Sequence, residues 1–340
     1  MEKNLLIGSC GENLTFQLSN GVLHIEGSGR LESHAQWVEY IRQIEQVIIS
    51  PGCTSIGKEV FMNHTVLKSI HLPNTLCTIE ESAFQNCKSL GHIDIPTGVT
   101  SIGKCAFARC RRLKSIVIPD GVTSIDKSTF EHCQSLESIE LPAGLIRIGW
   151  NAFYGCTNLS SIELPVNLTR IDRNAFFECR SLKYIEIPAG VNCIGNGTFY
   201  CCTKLQNIVI PARVTRIGDC AFAFCGSLKS IEIPAGVTRI GEGAFAFCGL
   251  ENIVIPASVT NIDSGTFSNC SRLKRIEIPT SVTSIGKDAF RGCNSLEHIE
   301  IPDSVTSIGD GAFEYCSSLS SIRLPDNTAA GNSKCTEQSD

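Results

Sequence analysis

Nineteen of the 340 residues are cysteine. Thiols can ligate metals, form disulfides or act as nucleophiles, and spacing decides among these roles. No C-x-x-C pair occurs, so the usual nucleus of a zinc site is missing. Cys87, Cys110, Cys133, Cys156, Cys179, Cys202, Cys225, Cys248, Cys270, Cys293 and Cys316 instead recur every 23 residues, with a single interval of 22. A residue returning at a fixed interval builds a ladder, and disulfides between successive rungs would have to alternate and distort the coil. The pattern predicts small, buried, inert thiols. His71, His92 and Asp94 fall on neighbouring segments, where a Zn²⁺ site or an acid–base pair is conceivable; two outward histidines on a repeat face also need no special role. No G-x-S-x-G, phosphate loop, H-E-x-x-H or dinucleotide fingerprint is present. The chain reads as a non-enzyme without metal or cofactor.

The interval of the cysteines is the interval of the whole chain. Units begin at Ile44, Leu67, Leu90, Leu113, Leu136, Leu159, Leu182, Leu205, Leu228, Leu250, Leu273 and Leu296, with a half unit at Leu319. Only Leu228–Gly249 is one residue short. Numbering each unit from its first residue, the pattern is L-x-x-I-x-[IL]-P-x-x-[VL]-T-x-I-[GD]-x-x-[AT]-F-x-x-C-x-x. L-x-x-I-x-I alternates as a short strand does, and proline suits a strand's exit because it has no N–H to donate. Positions ten and thirteen suggest a second short extended segment. Position fourteen is Gly in eight units and Asp in three, which predicts a left-handed corner there. Glu80 breaks that rule without explanation in the sequence. Position eighteen is Phe in every full unit from Phe61 to Phe313, a spine for the core.

The unit resembles the BspA-type, or Treponema pallidum-type, leucine-rich repeat over residues 44–325. Gly8-Ser9-Cys10-Gly11-Glu12-Asn13-Leu14-Thr15-Phe16 is similar to the cap that precedes such repeats. The resemblance implies a leucine-rich-repeat solenoid, a right-handed superhelix with a parallel β-sheet along its concave face. It also implies a surface or secreted protein of host-associated microbes, an adhesin-like binder of host or microbial macromolecules.

The ends are read from local signals. Leu14–Leu18 and Val22–Ile25 alternate as strands around Asn20-Gly21, a preferred hairpin turn. Ser33 suits a helix N-cap, with Trp37, Val38 and Ile41 on one helical face. Residues 1–43 are thus expected to form a hairpin-plus-helix cap, 44–325 the array, and 326–340 a polar disordered tail. The stretch Ile7-Gly8-Ser9-Cys10 only faintly suggests a lipoprotein cleavage site. The run Leu5-Leu6-Ile7 is too short for a signal-peptide core, and nothing spans a bilayer. The chain is therefore read as cytoplasmic, or as a mature surface form without its leader. An uncapped last coil would expose a strand edge and permit a homodimer.

A net charge of −5 without a basic run gives no expectation of nucleic-acid binding. Thirteen stacked strands would make a sheet roughly 60 Å long, with positions two, three and five facing outward. Position five holds Glu140, Glu163, Glu186, Glu232, Glu277 and Glu300, with Val209 and Val254 interrupting. Lys68, Lys114, Lys183, Lys229 and Lys274 at position two are placed to offset those charges. The column is either a solvated, balanced face or an acidic stripe for a basic protein or cell-surface ligand. Tyr184, at position three, is an ordinary exposed tyrosine or a contact hot spot. Arg147, Arg170, Arg216 and Arg239, at position twelve, read as a solvated cationic side. Two functions remain: a protein-binding module, adhesin-like in type, or an intracellular scaffold that self-associates through its C-terminal end.

Overall fold

The computed structural model describes residues 5–32, 36–320, 322–323 and 329–330. The chain divides into two compact units, residues 1–168 and 169–340. Each is a β-solenoid in which equivalent positions of successive coils pair in parallel.

The first unit starts with three antiparallel strands, β1 (Leu6–Gly11), β2 (Asn13–Ser19) and β3 (Val22–Leu31). Asn20 and Gly21 take φ of 51° and 78°, the left-handed pair a two-residue hairpin needs. The strand β3 then seeds both columns of the solenoid. Its first half pairs in parallel with β4 (Gln46–Ile49) and its second half with β5 (Cys53–Ile56). Between the halves lies Gly27 at φ 115°, where an added Cβ would sit 2.0 Å from the Asn13 carbonyl. The sulfur-bearing Cys10 is buried in β1.

The expected helix is one turn of 3-10 helix, Gln36–Tyr40, and Ser33 lies outside the described residues. Trp37 is buried but Val38 is exposed. A five-residue turn is too short for an apolar face, and its work is done by one ring. Trp37 meets Phe16 edge-on at 4.9 Å and stacks on Phe61 at 6.3 Å. From there Phe61, Phe84, Phe107, Phe130 and Phe153 stack at 5.4–5.6 Å. In the second unit, Phe176, Phe199, Phe222, Phe245, Phe267, Phe290 and Phe313 stack at 5.3–5.7 Å.

The side of the coil that carries these rings has no strands, yet its backbone is hydrogen-bonded. The N–H groups of positions sixteen, eighteen and twenty all donate to the next coil, as from Ser82, Phe84 and Asn86 to Lys104, Ala106 and Ala108. Aiming every second N–H the same way requires left-handed residues at sixteen and twenty. The pairs Ser82 and Asn86 (φ 56° and 64°) and Cys220 and Phe224 (φ 51° and 62°) are examples. This corrects the corner expected at position fourteen, where no glycine has a positive φ. Glycine serves there because the preceding coil crowds it. A Cβ on Gly57 would lie 2.3 Å from the Leu31 carbonyl, and one on Gly309 2.4 Å from the Lys287 nitrogen. Where position seventeen is Thr, as in Thr129, Thr198 and Thr266, its hydroxyl donates to the carbonyl three residues back.

The cysteine ladder is hydrogen-bonded as well as buried. In the first unit, Cys87, Cys110, Cys133 and Cys156 donate to the carbonyl of the phenylalanine 26 residues earlier, at 3.1–3.2 Å. In the second, Cys202, Cys225, Cys248, Cys293 and Cys316 do the same, and Cys270 reaches Phe245 25 residues earlier across the shortened unit, all at 2.9–3.2 Å. Burial pushes these thiols up, Cys110 to about 12. His64 occupies this position in the first coil, where no repeat precedes it.

Glu80, at a glycine position, is a clamp. Arg30 of β3 donates to it twice, from Nε at 2.6 Å and Nη2 at 2.7 Å, and Ser55 and the Lys58 N–H also donate. The cap is thereby tied to the coil that begins at Leu67. Within 326–340, Ala329–Ala330 pair in parallel with Ser307–Ile308, and the remainder lies outside the described residues.

These links generate three predictions. The Arg30 hydrogen bonds, more than any other cause, hold the Glu80 carboxyl below its ordinary value. A depressed carboxylate stabilises the fold above its unfolded pKa and loses that contribution as pH falls through the folded one. Glu80→Gln should therefore cost about 0.5–1 kcal/mol at neutral pH, and the two melting curves should converge in acid. A gap that persists in acid would assign Glu80 a packing role instead. Cys133→Ala removes the thiol's hydrogen bond to the Phe107 carbonyl, which keeps the Cys110 N–H, and leaves a small void in the core, so it should cost about 1–2 kcal/mol. Cys193→Ala, at an exposed position, should stay within about 0.5 kcal/mol. In native alkylation, Cys77, Cys193 and Cys220 should react first and the ladder only on unfolding, followed by mass spectrometry.

Candidate interaction face

The first strand of each coil displays alternate residues outward because its position-four isoleucine must face the core. In the first unit Ser138-Ile139-Glu140 pairs with Ser115-Ile116-Val117. In the second, Tyr184-Ile185-Glu186 pairs with Asn207-Ile208-Val209, and Asn252-Ile253-Val254 with Arg275-Ile276-Glu277. Glu300 continues the column in Ile299–Glu300. All six candidate glutamates are exposed. Glu163 and Glu232 keep the inward–outward alternation but lie in coils whose first segment forms no strand. The exposed valines stand between the acids: Val209 (47% exposed) is the register partner of Glu186, and Val254 (70%) that of Glu277.

The lysines do not offset this column. Lys68 Nζ lies 2.6 Å from Glu45 and Lys229 Nζ 3.5 Å from Glu251. Both acids are at position two, so these lysines balance their own column. Among the described residues, no ion pair joins a position-five glutamate to a cation. The physical reason is direction: position two precedes the inward residue at four and position five follows it, so the two columns are separate stripes. Tyr184 is half exposed, and its hydroxyl donates to Glu186 Oε2 at 3.1 Å.

On the second strand, Arg170 pairs with Asp172 at 2.6 Å and Arg239 with Asp263 at 3.5 Å, which neutralises part of the cationic side. Of the group suggested for metal or acid–base chemistry, His92 and Asp94 meet at 2.8 Å on an exposed surface. Among the described residues no set of three or more His, Cys, Asp or Glu is placed to hold a metal ion. None of their helices is long and apolar enough to cross a membrane.

Parallel coils, a phenylalanine spine and one outward strand face per coil define a leucine-rich-repeat β-solenoid. The sequence matches the BspA type leucine rich repeat region, in six copies, over residues 38–158, 123–250 and 238–339. The chain belongs to this BspA-type leucine-rich-repeat family. Its structure is similar to that of a leucine-rich repeat protein from Bacteroides ovatus, with 29% identity, a TM-score of 0.81, and coverage of 97% of this chain and 89% of that one. A leucine rich cell surface protein from Faecalibacterium prausnitzii is also 29% identical, with a TM-score of 0.60 and coverage of 97% and 96%. A leucine-rich repeat protein from Eubacterium ventriosum shares the fold at 21% identity, with a TM-score of 0.56 and coverage of 96% and 98%. None of the curated proteins matches the chain. The fold is that of a protein-interaction module.

Proposed function

We propose that the chain is an adhesin-like surface or secreted protein that binds a basic protein or cell-surface ligand through the position-five column. The observation that carries this reading is the column of exposed glutamates without ion-pair partners, interleaved with exposed valines. A face made only for solubility would balance its charges, as the position-two column does with Lys68–Glu45 and Lys229–Glu251. Unpaired carboxylates beside bare apolar side chains suit a partner that supplies both cations and apolar contacts. Surface location is supported by the family and by the Faecalibacterium relative described as a cell surface protein.

The test is capture of host-cell and matrix proteins on the immobilised chain, beside a variant carrying Glu140→Lys, Glu163→Lys, Glu186→Lys and Glu232→Lys. The wild type should retain a partner, with binding that weakens as salt rises. The variant should lose it, by about tenfold or more in affinity. Equal retention by both chains would move the site off this face, and retention by neither would remove the adhesin reading. Light scattering on the same samples would detect self-association, the mark of a scaffold.

A further inference from the structure

A repeat protein explains its recurring residues by its fold, so a feature confined to a few neighbouring coils needs another account. The second unit has one. Phe177, Tyr200, Phe224 and Phe247 form a row along the strandless side of four successive coils. Phe177 and Tyr200 stack at 4.4 Å, and Phe224 and Phe247 at 4.5 Å. The two pairs meet between Tyr200 and Phe224 at 5.2 Å and 60°, so the row bends there. Phe224 and Phe247 are 37% and 45% exposed. Most other coils place non-aromatic residues such as Gln85, Glu131, Asn86, Asn269 or Gly292 at these two positions; Tyr154 and Tyr315 are aromatic as well, and Tyr315 stacks under Arg291 at 4.9 Å.

The fold does not ask for these rings; it disfavours them. Phe224 and Phe247 sit at the left-handed position twenty, with φ of 62° and 58°. That conformation suits Asn or Gly and strains a bulky side chain. The only unit shortened by one residue ends just beyond Phe247, at Gly249. An added Cβ on Gly226, two residues past Phe224, would meet nothing within 4 Å, so the ground beside the rings is open. On Gly249 it would strike the Gly226 carbonyl at 2.2 Å.

Asp219 and Glu242 stand five residues before Phe224 and Phe247 in the same strandless segments. Asp219 is fixed by Asn196, whose Nδ2 donates to it at 2.8 Å, and by the Glu242 N–H at 3.2 Å. Burial first, then the Asp219 and Glu242 carboxylates, push up the Cys220 thiol, and burial first, then Cys201 and Cys220, push up the Tyr200 hydroxyl. Rings and carboxylates thus stand on the strandless side of the same two coils. Glu178, near Tyr200, is matched by Arg180 at 3.1 Å. Among the described residues Asp219 and Glu242 have no ion-pair partner.

We infer that this row is a second binding site, separate from the strand face, for an arginine-bearing aromatic segment of a partner protein. A planar guanidinium stacks on aromatic rings and donates two parallel hydrogen bonds to a carboxylate. Aromatic side chains of the same segment pack against the exposed ring edges. A purely apolar segment would leave Asp219 and Glu242 unmatched, and a neutral sugar would not call for them.

The probes are acetyl-Trp-Arg-Trp-Arg-amide and acetyl-Trp-Glu-Trp-Glu-amide, titrated calorimetrically into the full chain, with a neutral cello-oligosaccharide alongside. The arginine peptide should bind and the other two should not. Phe224→Asn with Phe247→Asn restores the residue type found at Asn86 and Asn269, so the melting temperature should hold or rise while peptide affinity falls about tenfold or more. Asp219→Asn with Glu242→Gln, which keeps the rings, should also weaken the arginine peptide by about tenfold. Three outcomes would overturn the inference: no binding of the arginine peptide, equal binding of the glutamate peptide or the sugar, or undiminished affinity in both double variants.

Discussion

The interaction on which this architecture rests is the backbone ladder along its strandless side. Strand pairing on the other sides is ordinary parallel hydrogen bonding. The phenylalanine side has no extended segment, so its N–H groups would be buried without partners unless the chain turned them toward the neighbouring coil. Left-handed residues at positions sixteen and twenty achieve this, and they fix the advance from one coil to the next. The phenylalanine carbonyl, which accepts the N–H three residues on, takes a second hydrogen bond from the thiol of the following coil, as Phe84 does from Cys87 N–H and Cys110 Sγ. Ring stacking at about 5.4 Å, as between Phe84 and Phe107, then adds apolar contact in the same register. A thiol is suited to this place because it is small, weakly solvated and long enough to reach.

That division of labour frees the strand face. Positions two, three and five carry no structural duty beyond polarity, so their residues vary from coil to coil. The position-two column uses this freedom to balance its charges, and the position-five column does not. The contrast gives the glutamates meaning, because both columns lie on the same strands and face the same solvent. Their difference does not come from the fold.

What could be read in the sequence follows the same line. The period, the phenylalanine spine and the buried cysteines were legible because packing imposes one residue type in coil after coil. The left-handed positions were not. Glu59, Arg109, His132 and Phe224 all adopt positive φ, so the backbone ladder overrides local preference and leaves no consistent residue signal. The glycines of position fourteen gave a true signal that was read for the wrong cause, since close approach and positive φ both select glycine. The Arg30–Glu80 clamp joins residues 50 apart in sequence, and only the folded register brings them together. Of the candidate site, the outward placement of Glu140 or Glu277 was legible from alternation. The failure of Lys68 and Lys229 to reach that column was not, because side-chain direction is a matter of three dimensions.

The aromatic row was visible in principle and missed in practice. Reading position twenty down the array shows Asn63, Asn86, Arg109, His132, Gly155, Glu178 and Cys201, then Phe224 and Phe247 in succession, with Tyr315 the next ring. Averaging over repeats hides such a change, because it treats departures from the consensus as noise. In a solenoid the reverse holds. The consensus records what every coil needs to stack, and a departure that costs backbone strain, as Phe224 and Phe247 do, records a demand that stacking does not make. Such departures, clustered in adjacent coils that also carry carboxylates without ion-pair partners, are where a binding function can be written on a fold that is otherwise the same from turn to turn.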